Sequence, residues 1–214
     1  MSTDQQHAGA AYALTLDVDY PDRPLDRVTS AFRIFTLIPI VIVLATLGAL
    51  GAAGSDGGSA GLVAIGGLLF LPPLLMIVFR EKYPRWWFDW NRELMRFTNR
   101  VYAYGALLSD KYPSTDEQQY VRLELEYPDA REGLNRWLPL IKWFLAIPHY
   151  VVLFFLCLGA VFAVIAAWFA ILFTGRYPRG LFNYVVGVMR WSDRVSAYAF
   201  VLATDEYPPF RLAH

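Results

Sequence analysis

His149 stands inside a run of 33 residues, 143–175, that contains no Asp, Glu, Lys or Arg. An ionisable group in such a run is costly to bury and is a functional candidate for that reason. Its imidazole has the chemistry to shuttle a proton, hold a metal or bind a lipid headgroup. The competing reading is a neutral ring bonded to water or to a carbonyl freed by Pro148. The other histidines, His7 and His214, are terminal, and Cys157 is the lone cysteine, so no metal site and no cofactor is expected. Gly57-Gly58-Ser59-Ala60-Gly61 matches the nucleophile-elbow pattern, but no strand precedes it and no histidine is in reach, so it reads as a loop. Pro72-Pro73 would either kink a membrane helix or break it and expose carbonyls to an ion or solute. Arg85, Arg96, Arg100, Arg179, Arg190 and Arg194 recur at matching places in the two halves of the chain. They have the chemistry to hold anionic phospholipid phosphates, or to pair with Asp89, Asp193 and the strand acids.

The elements that must position these groups are mostly membrane helices. Apolar residues make up 56% of the 214 and charged residues 18%, with a mean hydropathy of +0.33. Soluble domains carry about 25% charged residues. The 16% aromatic content excludes a disordered chain. The 19 basic and 19 acidic residues cancel, which gives no footprint for nucleic acid.

Two windows are almost free of charge. In 34–79 the only charge is Asp56, which predicts transmembrane spans at 34–54 and 60–79 around the polar turn 54–59. As one helix, 143–175 would be about 50 Å long and need severe tilt. With 138–142 added and Lys142 snorkelling to the surface, two short spans fit, 138–158 and 160–175. Every Lys and Arg lies outside the charge-free windows, so the positive-inside rule predicts an even number of spans in each. The expectation is four spans with both termini cytoplasmic. Residues 1–13 read as a disordered tail, without the basic and apolar runs of a signal peptide.

The halves resemble each other. Leu14-Thr15-Leu16-Asp17-Val18-Asp19-Tyr20-Pro21 is similar to Val121-Arg122-Leu123-Glu124-Leu125-Glu126-Tyr127-Pro128, and Ile38-Pro39 to Ile147-Pro148 with Arg33 opposite Lys142. Tyr83-Pro84-Arg85 matches Tyr177-Pro178-Arg179, Met95-Arg96 matches Met189-Arg190, and Tyr112-Pro113 matches Tyr207-Pro208. This predicts a mainly α polytopic membrane protein of two parallel repeats, 14–115 and 116–214. Each holds a short strand, a transmembrane hairpin and an interfacial amphipathic helix, 84–100 or 178–193. Trp87, Trp90, Trp191, Tyr83 and Tyr177 are the expected interfacial anchors. The alternative packs the amphipathic helices on the chain's own strands. Residues 101–108 and 195–203 either end the amphipathic helices or form further strands of a small cytoplasmic sheet, and Val195, Tyr198, Phe200 and Val201 lean towards strands because they favour a pleated surface.

Arg136-Trp137-Leu138-Pro139, Ile147-Pro148-His149-Tyr150, the stretch 167–182, Met189-Arg190-Trp191 and Asp205-Glu206-Tyr207-Pro208-Pro209-Phe210 carry a resemblance. They are similar to a family of bacterial membrane proteins known only as a domain of unknown function, number four-three-eight-nine. The likeness is close over 127–210 and degenerate over 20–113, where Ile40 stands opposite His149. It implies a multi-pass protein of the bacterial inner membrane and carries no activity. The expected role is a non-enzymatic scaffold or accessory subunit that meets the bilayer, anionic phospholipids and a membrane or cytoplasmic protein partner, with an oligomer possible in principle. The alternatives are transport of a lipid or small solute and, third, an enzyme acting on lipids.

Overall fold

The computed structural model describes residues 12–21, 23–50, 71–114, 117, 119–129 and 134–213. The expectations for the tail before Tyr12, the turn 54–59, the elbow-like 57–61 and the first half of the span 60–79 lie outside these residues. Pro72 and Pro73 are helical, and the turn before them is also outside.

The chain is mainly helical with one two-stranded sheet. In order it forms β1 (Leu14–Val18), α1 (Arg27–Ala31), α2 (Arg33–Leu50), α3 (Leu71–Arg80), α4 (Arg85–Gly105), β2 (Val121–Leu125), α5 (Pro139–Leu145), α6 (Ile147–Thr174) and α7 (Arg179–Ser196). A π-helical turn, Ala197–Val201, continues α7.

Period-two alternation makes both strands. Leu14, Leu16 and Val18 are buried, as are Val121, Leu123 and Leu125, while the residues between them face out. The strands pair antiparallel with Leu16 opposite Leu123. Their apolar face packs on the middle layer, α7 against β1 and α4 against β2. The outer layer is α2 on α4 and α6 on α7. Pro84 and Pro178 cap α4 and α7, positions where the missing N–H of proline is harmless.

Several expectations are corrected. The spans 138–158 and 160–175 are not two helices: α6 runs unbroken for 28 residues, with the short α5 before it. A lone glycine costs a helix only about 1 kcal/mol, and Gly159 serves packing, since a Cβ there would lie 2.5 Å from the Tyr184 hydroxyl oxygen. Among the described residues α6 is the one helix long and apolar enough to cross a membrane, and α2 offers a shorter apolar stretch, Arg33–Thr46. Four transmembrane helices are therefore not found. The even-span argument for cytoplasmic termini falls with them, because one continuous crossing would put Lys142 and Arg176 at opposite ends.

Residues 101–108 and 195–203 are not strands. They extend α4 and α7 and end at Leu107 and Leu202, both with left-handed φ, 64° and 59°. Packing overrides β propensity here, because the buried Tyr104 and Tyr198 turn their rings to the cations of Arg33 and Lys142, at 4.2 and 5.1 Å. The amphipathic helices pack on the strands, as the alternative reading had it: α7 is buried on two sides, by Phe182, Val185 and Val186 and by Val188, Trp191 and Val195.

Candidate functional site

His149 lies in the first turn of α6, next to Pro148, and not deep inside an apolar span. The proline begins this helix, so it frees no carbonyl for the imidazole to bind. Nδ1 instead accepts a hydrogen bond from Trp191 Nε1 at 3.1 Å. Phe210 stacks on the ring at 4.0 Å, and Tyr207 sits 4.7 Å away. The imidazole is fully buried, and Nε2 has no partner among the described residues. A ring whose Nδ1 accepts carries its proton on Nε2. This is a neutral packing histidine, enclosed by α7 and the C-terminal segment. Among the described residues no group of three His, Cys, Asp or Glu side chains converges to hold a metal.

Four of the six arginines bond the protein's own backbone. Arg96 Nε donates to the Leu123 carbonyl at 2.9 Å, and Arg190 Nε to the Leu16 carbonyl at 2.7 Å, each fastening a strand to a helix. Arg100 and Arg194 are buried and bind chain carbonyls, Arg100 that of Ser114 and Arg194 those of Arg211 and Ala213. Buried guanidinium groups must be hydrogen-bonded, and carbonyls of irregular chain are the acceptors at hand. Arg85 and Arg179 stay exposed, stacked over the rings of Tyr127 and Tyr20 at 4.9 and 4.8 Å.

The anchor set is likewise corrected. Tyr83, Tyr177 and Trp191 are buried and cannot reach headgroups; Tyr83 donates to the Val201 carbonyl at 2.5 Å. Trp90 is exposed and Trp87 only partly so. Trp86 and Trp137, which the sequence pattern did not single out, are 70% and 64% exposed.

Two buried cations tie α2 and α5 to distant chain. Arg33 meets Asp110 at 2.5 Å and the carbonyls of Tyr104 and Ser109. Lys142 meets Asp205 at 2.6 Å and the Thr204 carbonyl at 2.7 Å. Between the helices, Asn99 Nδ2 donates to Asp193 Oδ1 at 3.1 Å, while Asp193 Oδ2 is buried without a partner among the described residues. Burial pushes the Asp193 carboxyl up to about 7, against the lowering effect of Asn99.

The open basic feature lies elsewhere. A cleft of about 310 Å³ is lined by Tyr20, Arg23, Arg176, Tyr177 and Arg179, where α6 ends and α7 begins. Arg23 and Arg176 were not singled out from the sequence, although each lies within three residues of a Tyr-Pro pair.

This constellation of His149, Trp191, Arg194, Asp205 and Phe210 falls inside one known domain. Residues 137–211 match the Domain of unknown function (DUF4389). The DUF4389 match takes in α5, α6, α7 and most of the segment that encloses His149. It covers about a third of the chain and leaves out β1, α4 and β2. No curated protein and no solved structure shows a significant similarity.

Proposed function

We propose that this is a non-enzymatic membrane protein, a scaffold or accessory subunit, built from two copies of one unit and held in lipid by α6 and α2. The observation that carries the reading is the outer face of α6. Only 11% of its most apolar stretch is buried inside the protein. The buried residues of α6, His149, Leu153, Ala163, Ala167 and Ile171, lie along one side of the helix, with Tyr150, Leu156, Ala160, Val164 and Trp168 partly covered beside them. Around it Phe154, Phe155, Val161, Phe162, Ile165, Phe169 and Phe173 stand exposed. A core helix of a soluble protein would be mostly covered, and apolar patches of this extent mark a membrane or partner surface.

Contacts that come in pairs support the two-copy part. Arg96 on the Leu123 carbonyl corresponds to Arg190 on that of Leu16. Arg33 with Asp110 corresponds to Lys142 with Asp205, and Tyr127 on the Tyr83 carbonyl to Tyr20 on that of Tyr177. Leu16 faces Leu123, and Asn99 meets Asp193, so matching residues touch each other, as they would across an approximate twofold axis. The recurring polar side chains hold the chain in place, which is the work of a framework.

Cys157, alone in the sequence and exposed on α6, gives the test without any substitution. A nitroxide attached there in reconstituted vesicles is expected to collide with oxygen more readily than with a water-soluble nickel chelate. The reverse order would place α6 in water and end the membrane reading. Purification in mild detergent with proteomics then tests the scaffold role, for which a stoichiometric protein partner is expected.

A further inference from the structure

We infer that the cleft between the end of α6 and the start of α7 is a binding site for the phosphate group of a phospholipid, with Arg23, Arg176 and Arg179 as its ligands. The inference deepens the membrane reading and rests on it, since it needs α6 to stand in lipid. The cleft opens where the apolar face of α6 stops at Gly175, so a lipid beside Phe169 and Phe173 would bring its headgroup to this level.

The cleft floor is built. Gly175 ends α6 with φ 71°, a left-handed turn that only glycine takes without strain. The Leu25 N–H bonds its carbonyl at 2.9 Å, and Arg27 Nη2 bonds the Phe173 carbonyl at 3.3 Å. These bonds satisfy acceptors that would repel an anion at a helix C-terminus. On the other wall the Tyr20 hydroxyl donates to the Tyr177 carbonyl at 2.5 Å. The Arg179 guanidinium carbon lies over the Tyr20 ring at 4.8 Å, and its N–H groups make no ion pair among the described residues.

The charges are unanswered. Arg23, Arg176 and Arg179 are exposed, make no ion pair among the described residues, and no described residue lining the cleft is acidic. Asp22, next to Arg23, lies outside the described residues. Pro178 caps α7 without a side-chain bond, so the first N–H groups of that helix add positive field on the same side. The matching place in the first half lacks this character, because Glu81 pairs there with Arg136. Guanidinium forks suit phosphate geometry, and three of them around one cleft outbid scattered surface charge.

The test uses the full chain in phosphatidylcholine nanodiscs doped with a few per cent phosphatidic acid, with lipid retention read by native mass spectrometry. Arg23→Gln/Arg176→Gln/Arg179→Gln is expected to lower phosphatidic acid retention about tenfold. Arg80→Gln/Lys82→Gln/Arg92→Gln, which removes as much charge elsewhere, should leave it within twofold. Equal losses in both variants, or no loss in the first, would overturn the site. Millimolar inorganic phosphate should fail to displace the lipid; displacement would assign the cleft to free phosphate and overturn the lipid assignment. Retention competed away by an acidic peptide would do the same in favour of a protein ligand. Arg176→Gln alone, an exposed residue whose side chain makes no hydrogen bond or ion pair among the described residues, repeats the test where the triple variant folds poorly. The Cys157 label reports insertion separately, so a failed cleft with an oxygen-accessible label leaves the membrane reading standing.

Discussion

Gly159 is a residue whose meaning changes between sequence and structure. In the chain it looks like the hinge of a membrane hairpin; in the fold it is the floor under Tyr184, whose hydroxyl donates to the Leu156 carbonyl at 3.0 Å. A Cβ would have to displace that hydroxyl, 2.5 Å away. Gly159→Ala is expected to destabilise by about 1–3 kcal/mol, the range for overpacking. Tyr184→Phe removes the obstructing oxygen, so the double variant should recover much of the loss. Thermal unfolding of the four proteins in one detergent measures the coupling, and additive effects would show that the two residues do not interfere. His149 carries the same lesson: its type was conspicuous in an apolar run, but its partners Trp191, Tyr207 and Phe210 lie 42 or more positions away and leave no sequence signal of a cage.

At the scale of elements, the buried cations tie helices to chain brought from far away. Arg33 opens α2, and Lys142 sits in α5, fully buried on Asp205 and the Thr204 carbonyl. Removing one partner of such a pair strands the other, at a cost of about 3–5 kcal/mol. Asp205 keeps 20% of its side chain in contact with solvent, so the lower end applies. Lys142→Ala is expected to destabilise by about 3 kcal/mol, and Lys142→Met/Asp205→Asn by much less. Chemical denaturation in detergent checks both; a double variant as weak as the single would mean that loss of the Lys142–Asp205 pair itself, not the stranded charge, sets the effect. Both cations were legible as a matched pair, Arg33 opposite Lys142, though the snorkelling expected of Lys142 is replaced by full burial. The reason is that Asp205 and the Thr204 carbonyl come from a segment some 60 residues on. The choice between helix and strand at 195–203 stayed open in sequence through the same blindness: β propensity is a local quantity, whereas Tyr198 is buried at 1% exposure by contacts from α5 and the C-terminal segment.

Across the whole molecule, α4 and α7 meet through Asn99 and Asp193 beneath the sheet. The raised Asp193 carboxyl makes this junction pH-dependent. Its ordinary unfolded value is near 4, and in the fold it titrates at about 7. The folded chain therefore holds the proton more tightly, and that stabilisation is complete below about pH 4 and lost as pH rises through about 7. Asp193→Asn, which stays neutral and keeps a partner for Asn99, is expected to exceed the wild type in melting temperature by clearly more at pH 8 than at pH 5. An equal difference at both values would show that the carboxyl does not titrate in this range. The outer layer behaves differently, since α6 and the Arg33–Thr46 stretch of α2 turn apolar side chains outward, uncovered by the rest of the protein.

By itself the sequence determined what is local and periodic. Alternating Leu and Val at 14–18 and 121–125 made strands, Tyr-Pro-Arg opened two helices, and a charge-free run made the long apolar segment. Only the tertiary structure decided that this segment is one helix of 28 residues and that Arg96, Arg100, Arg190 and Arg194 turn inward to carbonyls. It also decided that the unanswered arginines are those around Tyr20 and Tyr177. An arginine reads the same in sequence whether it faces a phosphate or a peptide oxygen. Which acceptor it finds depends on chain brought from far away, and that proximity exists only once the helices and strands have packed.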